Sequence, residues 1–319
     1  MFIEQGINSE NKFWKYLLGS IIIIGASLIG QIPLLIGVMF KTIGNGKMMP
    51  DSENDLMKMF DPNMALFLIM ISFLFAVGGI YLVMRYLHKQ TLHSIITSRT
   101  KIDKKRIIFS FIIWALLSVI STVVTYFDSP GDFVVNFQLW PFLGLFIIAV
   151  LLIPIQTTCE ELVFRGYLMQ GFGNLAHNKW FPLLMTSVVF GCMHIFNPEV
   201  QKMGYIILIY YIGTGLMLGI MTLMDEGMEL SLGFHAANNL IGALLVTSDW
   251  SALQTNSILK DLSEPSAGID VIIPVVVVYP ILLWVFSKKY HWNNWTEKLT
   301  GNLTTQHEHS DLSQRTQQF

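Results

Sequence analysis

The sequence predicts an all-α fold, a polytopic membrane helical bundle of about eight transmembrane helices. Three observations lead there. Of 319 residues, 53% are hydrophobic and only 13% are charged, against about 25% charged in soluble domains. Mean hydropathy is +0.53. Apolar runs of the length a bilayer crossing needs, about 20 residues, recur along the chain between connectors rich in Pro, Asp, Asn and Gly.

In order, the runs cover residues 14–40, 64–86, 107–127, 139–157, 180–197, 203–224, 229–247 and 269–287. The first follows Glu4, Glu10 and Lys12. It is too long for a signal-peptide core, and no small-residue cleavage pattern follows, so it reads as a helix that stays. Asp61-Pro62-Asn63 marks a connector. Gly213, Gly215 and Gly219 on the sixth run imply close helix approach or room for a ligand. Residues 1–287 form the expected membrane domain, and 288–319, rich in Gln, Thr and His, the expected polar, disordered tail.

Lys and Arg set the expected orientation. The connector after the second run carries Arg85, Lys89, Arg99, Lys101, Lys104, Lys105 and Arg106 and belongs in the cytoplasm; residues 128–138 carry none and belong outside. Eight spans then put both termini in the cytoplasm, in keeping with Lys12, Lys15, Lys288 and Lys289. The expected location is the cell membrane. A net charge of −2 with no basic stripe gives no reason to expect a nucleic-acid partner. Cys159 and Cys192 lie in apolar runs and read as packing residues.

Five ionisable residues break the apolar pattern: Glu160, Glu161, Arg165, His194 and His235. Each costs about 2.5–3.5 kcal/mol at mid-bilayer, which marks them as one polar site between packed helices. Glu161 and Arg165 are four apart and can pair on one helix face. Glu160 is turned about 100° away from Glu161 and stays free for chemistry. Phe190 and His194 share a face by the same spacing, as do His235 and Asn239. If the fourth helix continues to Gly171 and turns through residues 174–179, Glu160 lies about 18 Å and His194 about 21 Å from the turn, level across an antiparallel hairpin. The plainer alternative is a set of salt bridges and satisfied histidines that only hold the bundle together.

The segments read Glu160-Glu161-Leu-Val-Phe-Arg165, Phe190-Gly-Cys-Met-His194 and His235-Ala-Ala-Asn-Asn239. They match E-E-x-x-x-R, F-x-x-x-H and H-x-x-x-N, in that order, each in apolar context. In this the chain resembles the CPBP intramembrane protease family, which includes the type II CAAX prenyl endopeptidases and abortive-infection-like proteins. The resemblance covers residues 139–247. It implies a catalytic core there, with Glu160 and His194 activating a water and His235 and Asn239 serving as metal ligands or oxyanion stabilisers. Glu161, Arg165 and Phe190 would support the site. It also implies a peptide or membrane-protein substrate, lipidated in the prenyl endopeptidases. Glu160, His194 and His235 are the donors a divalent metal such as zinc would use, with one position left for water.

Other membrane functions leave other traces. The chain has no H-E-x-x-H, no rhomboid-type serine motif and no paired intramembrane aspartates. A proton-coupled transporter could use the same ionisable residues, but the polar groups cluster in one half and no inverted repeat is visible. A non-proteolytic scaffold or immunity protein is the third reading.

Overall fold

The computed structural model describes residues 1–7, 11–43, 49–50, 53–265 and 268–303. A helix stands in each of the eight expected stretches: α1 (Phe13–Ile43), α2 (Pro62–Leu87), α3 (Lys104–Asp128), α4 (Leu139–Ala176), α5 (Trp180–Cys192), α6 (Ile207–Asp225), α7 (Glu229–Leu245) and α8 (Val271–Tyr290). Among the described residues, six of these are long and apolar enough to cross a membrane. The other two fall short of the expected count of eight. α5 has 13 residues because the chain leaves the helix just before His194. α7 has 17 and carries Glu229, His235, Asn238 and Asn239 among its apolar residues.

Local chemistry sets the helix starts. Asp61 accepts from the Asn63 N–H at 3.0 Å ahead of Pro62, and Asp103 accepts from the Lys105 and Arg106 N–H groups; both satisfy donors that a helix start leaves open. Ile21, Ile36, Leu116, Ile120, Ile147 and Trp284 are exposed on the outer faces. Such a surface suits lipid and would drive association in water.

α4 runs for 38 residues past both glutamates to Ala176, the long helix that the hairpin spacing predicts. Pro154 lies inside it, and Leu162–Leu168 form a π-helical segment. α7 packs against α3, α4 and α6, and α6 packs against α5. Gly233 lets α7 close on α3, since a Cβ there would lie 2.1 Å from the Ile107 carbonyl oxygen. Gly215 does the same for α6 against Ser187 of α5, so the glycines of α6 serve packing.

One end of the bundle gathers the chain's first residues, the basic connector and the chain beyond α8. The Phe2 N–H donates to Glu226 at 2.6 Å, and Gln90 donates to the Gln5 carbonyl at 2.7 Å. Arg99 bridges Asp225 at 3.0 Å and Glu229 at 2.9 Å. Arg106 also pairs with Asp225. Trp292 donates to Asp225 at 3.0 Å, Lys298 to the Met224 carbonyl at 2.9 Å, and the Leu303 N–H to the His177 carbonyl at 2.9 Å. The expected disordered tail is therefore folded as far as Leu303, including a short helix at Trp295–Thr300. Its apolar anchors, Trp292, Leu299 and Leu303, pack into the core. Residues 304–319 of that tail lie outside the described residues.

The opposite end holds a feature the all-α expectation lacks. β1 (Phe133–Val135), β2 (Val246–Ser248) and β3 (Leu259–Asp261) form a small sheet in the order β1-β3-β2. β3 is antiparallel to β1 and parallel to β2, with Lys260 opposite Val134 and Thr247. Three-residue strands are too short to show a two-residue period in sequence.

Candidate active site

The site is built from α4 outward. Glu160 and Glu161 are the last residues before the π-helical segment, and Arg165 lies within it. Such bulges are frequent at functional sites. Glu161 and Arg165 are both fully buried and pair at 3.0 Å. Arg165 also donates to the Gly215 carbonyl at 3.3 Å and lies over the Phe190 ring, 4.3 Å from its centroid. Burying two charges needs this sort of company, because the loss of hydration otherwise outweighs their attraction.

His235 of α7 faces both glutamates. Its Nδ1 is 2.7 Å from Oε1 of Glu161, and its Nε2 is 3.4 Å from Oε2 of Glu160. The Glu160 side chain is 19% exposed while that of Glu161 is sealed. Of the two neighbours, Glu160 is therefore the one open to solvent. The Phe190 ring stands edge-on to His235 at 6.0 Å.

His194 follows α5 in the turn after Cys192. Its Nδ1 is 2.8 Å from the Phe190 carbonyl, and its ring stacks on Tyr211 of α6 at 4.3 Å and 18°. Glu160, Arg165 and His235 are all near enough to act on its charge. Level placement across the hairpin predicts a facing pair of Glu160 and His194. In the structure the imidazole in direct contact with Glu160 is that of His235, and His194 is held to one side by Tyr211.

Asn239 donates to Gln156 Oε1 at 3.0 Å, and Gln156 donates to Glu160 Oε1 at 2.6 Å. Asn239 accepts in turn from Asn238 at 3.0 Å. Glu160, Glu161, Arg165, Phe190, His235 and Asn239 thus form one contact network, with His194 against its Phe190 edge at 4.9 Å. Among the described residues, no group of three His, Cys, Asp or Glu side chains is arranged to hold a metal ion. Glu160, His194 and His235 are among these residues and do not form such a group.

This geometry can be set beside known proteins. Residues 138–241 match the family described as type II CAAX prenyl endopeptidase Rce1-like. The chain is 32% identical over 242 residues to a Bacillus subtilis (strain 168) protein described as uncharacterized protein YyaK, covering 76% of this chain and 80% of that protein. The chain belongs to the Rce1-like family. No solved structure matches it. The Rce1-like region spans α4 to α7 and so contains every motif residue named above.

Three further residues of the Rce1-like region touch this network and were not singled out from sequence: Gln156, Tyr211 and Asn238. Gln156 carries a legible signal, an amide four residues before Glu160 in an otherwise apolar run. Asn238 sits beside a motif asparagine. Tyr211 carries none, since aromatic residues are frequent throughout the membrane segments.

Proposed function

We propose that this membrane protein is an intramembrane endopeptidase whose chemistry is carried by Glu160, His194, His235 and Asn239. The observation behind this reading is the His235–Glu160 approach of 3.4 Å, beside a neighbouring glutamate already committed to Arg165. Glu161, sealed from solvent with Oε1 held by Arg165 and His235, is out of reach of an attacking water; a partly open carboxylate beside an imidazole is not.

Glu160 takes a proton from water as the water oxygen attacks the scissile carbonyl carbon. Negative charge gathers on the carbonyl oxygen, where the Asn239 amide donates to it. The proton held at Glu160 passes to the leaving nitrogen and the C–N bond breaks. The products are a carboxylic acid and an amine, with one water consumed. His235 keeps Nδ1 toward Glu161, which fixes its ring and leaves Nε2 for the site.

The substrate we propose is a peptide or membrane protein with a prenylated cysteine near its C-terminus, following the family description. The proposed setting is the cell membrane with the basic end of the bundle in the cytoplasm. Turnover of a fluorogenic prenyl-cysteine peptide by purified protein tests the reading. Glu160→Gln abolishes it on this proposal; cleavage at the wild-type rate by that variant would sink it. A scaffold or transporter would show no turnover with either protein.

A zinc-assisted version has one observation in its favour. Both imidazoles have Nδ1 held by a protein partner, as metal-binding histidines usually do. Metal analysis of the pure protein, with chelator challenge of the same assay, decides it.

A further inference from the structure

Four hydrogen bonds run in one direction from α3 to the reactive carboxylate. Trp114 Nε1 donates to Asn238 Oδ1 at 3.0 Å, and Asn238 Nδ2 donates to Asn239 Oδ1 at 3.0 Å. Asn239 Nδ2 donates to Gln156 Oε1 at 3.0 Å, and Gln156 Nε2 donates to Glu160 Oε1 at 2.6 Å. The two ends fix the direction. An indole N–H can only donate, and an ionised carboxylate can only accept. Each of the three amides between them must turn its oxygen toward Trp114 and its NH2 toward Glu160. Reversing any one would set two oxygens or two NH2 groups against each other.

Gln156 and Trp114 belong to none of the three motifs. Gln156 is nevertheless the joint of the chain. It lies one helical turn before Glu160 and is 6% exposed, so it is no surface amide that happens to reach inward. Its NH2 holds one carboxylate oxygen, which leaves the other to His235 and to water. Its oxygen holds the Asn239 amide by the donor side, and the second hydrogen of that NH2 stays available to a reacting carbonyl.

We infer that Gln156 is a positioning residue for the hydrolysis, acting through Glu160 and Asn239, with Trp114 setting the polarity of the relay. The inference rests on the peptidase reading for its role in turnover, while the clamp on Glu160 stands independently of it. A displacement of about 1 Å in a reacting group can cost about 100-fold in rate, so a clamp at 2.6 Å on the base is worth a large factor.

Two measurements on the purified full-length protein test this. The first needs no substrate. The infrared difference between wild type and Glu160→Gln isolates the carboxylate bands of Glu160. Gln156→Met, which keeps the shape and removes both polar atoms, shifts those bands; Trp114→Phe shifts them less. Bands that stay in place in Gln156→Met overturn the clamp. The second is turnover of the fluorogenic prenyl-cysteine peptide. Gln156→Met and Gln156→Glu lower kcat about 10- to 100-fold with KM within about twofold, and Trp114→Phe lowers kcat less. The Glu variant keeps an acceptor for Asn239 but sets a second carboxylate against Glu160. A variant that simply unpacks the bundle would instead raise KM and lower the unfolding temperature. Wild-type kcat in Gln156→Met, with Glu160→Gln inactive, overturns this inference alone. Full activity in Glu160→Gln overturns the peptidase reading, and the infrared result then decides the clamp.

Discussion

His235 bridges two adjacent glutamates, with Nδ1 2.7 Å from Glu161 and Nε2 3.4 Å from Glu160. One imidazole therefore joins the ion pair that holds the site to the carboxylate proposed to react. The two nitrogens have different tasks, and so do the two acids.

Removing the structural acid should show this division. Glu161→Leu leaves the guanidinium of Arg165 buried without its carboxylate and should lower unfolding stability by about 3–5 kcal/mol. Arg165→Met should cost a similar amount. The double variant should recover much of that stability, because no lone charge remains, and still lack turnover, because His235 has lost its Nδ1 partner. Chemical unfolding in detergent alongside the peptide assay checks both halves. A double variant as unstable as the sum of the singles would contradict the pairing.

Tyr211 holds His194 by its face at 4.3 Å. A stacked aromatic pair contributes about 0.5–1.5 kcal/mol, so Tyr211→Leu should reduce turnover about two- to tenfold. Tyr211→Phe, which keeps the ring, should lose less than Tyr211→Leu. Equal rates for Leu and Phe would remove Tyr211 from the site.

A third expectation concerns pH. His88, just beyond α2, is buried between Asn11 at 2.9 Å and the Tyr167 hydroxyl at 3.0 Å. Burial, aided by the nearby Lys15 charge, pushes its imidazole down from 6.5 to about 4. Between those values the unfolded chain takes up a proton that the folded chain refuses. Stability contributed by neutral His88 is present above about 6.5 and is lost as pH falls toward about 4, by no more than about 3 kcal/mol. His88→Gln should flatten that part of the stability profile. Unfolding midpoints from pH 7 to 4.5 compare the two proteins; parallel curves would count against it.

The start of α7 depends on Arg99. Its guanidinium forks to Asp225 and Glu229, and Glu229 is fully buried. Arg99→Leu should cost about 2 kcal/mol, less than a sealed pair because the Arg99 side chain is 25% exposed. Arg99→Lys should recover little, since a single ammonium cannot span both acids. Hydrogen exchange over residues 228–233 should quicken in both variants.

The sequence made the bundle and the motif residues legible for a physical reason. Intramembrane charge is costly, so Glu160, Glu161, Arg165, His194 and His235 stand out against apolar surroundings. The Glu161–Arg165 pair followed from four-residue spacing alone. What spacing could not supply was the azimuth of three helices around a common axis. His235 therefore displaced His194 as the direct neighbour of Glu160. Nor could composition separate a free tail from a docked one: Trp292 and Leu303 are few among polar residues, yet they anchor the chain to Leu303. The shortness of α5 was hidden for a similar reason, since residues 193–197 remain mostly apolar where the helix has already ended.

The π-helical winding of Leu162–Leu168 sets which way the end of α4 faces. A π turn closes its hydrogen-bonded ring one residue later than an α turn, so this stretch behaves as α4 with a one-residue insertion. Removing one residue as the segment rewinds to α-helix would nearly keep the facing of Met169–Ala176, but rewinding it with every residue kept would swing that stretch by about 100° relative to Glu160. Gln170 would leave the carbonyls of Phe2 and Ser94, and Asn174 that of Asn11. The wide winding itself is therefore the fixed quantity: it indexes the half of the helix that bears Glu160 to the end that the chain's first residues hold.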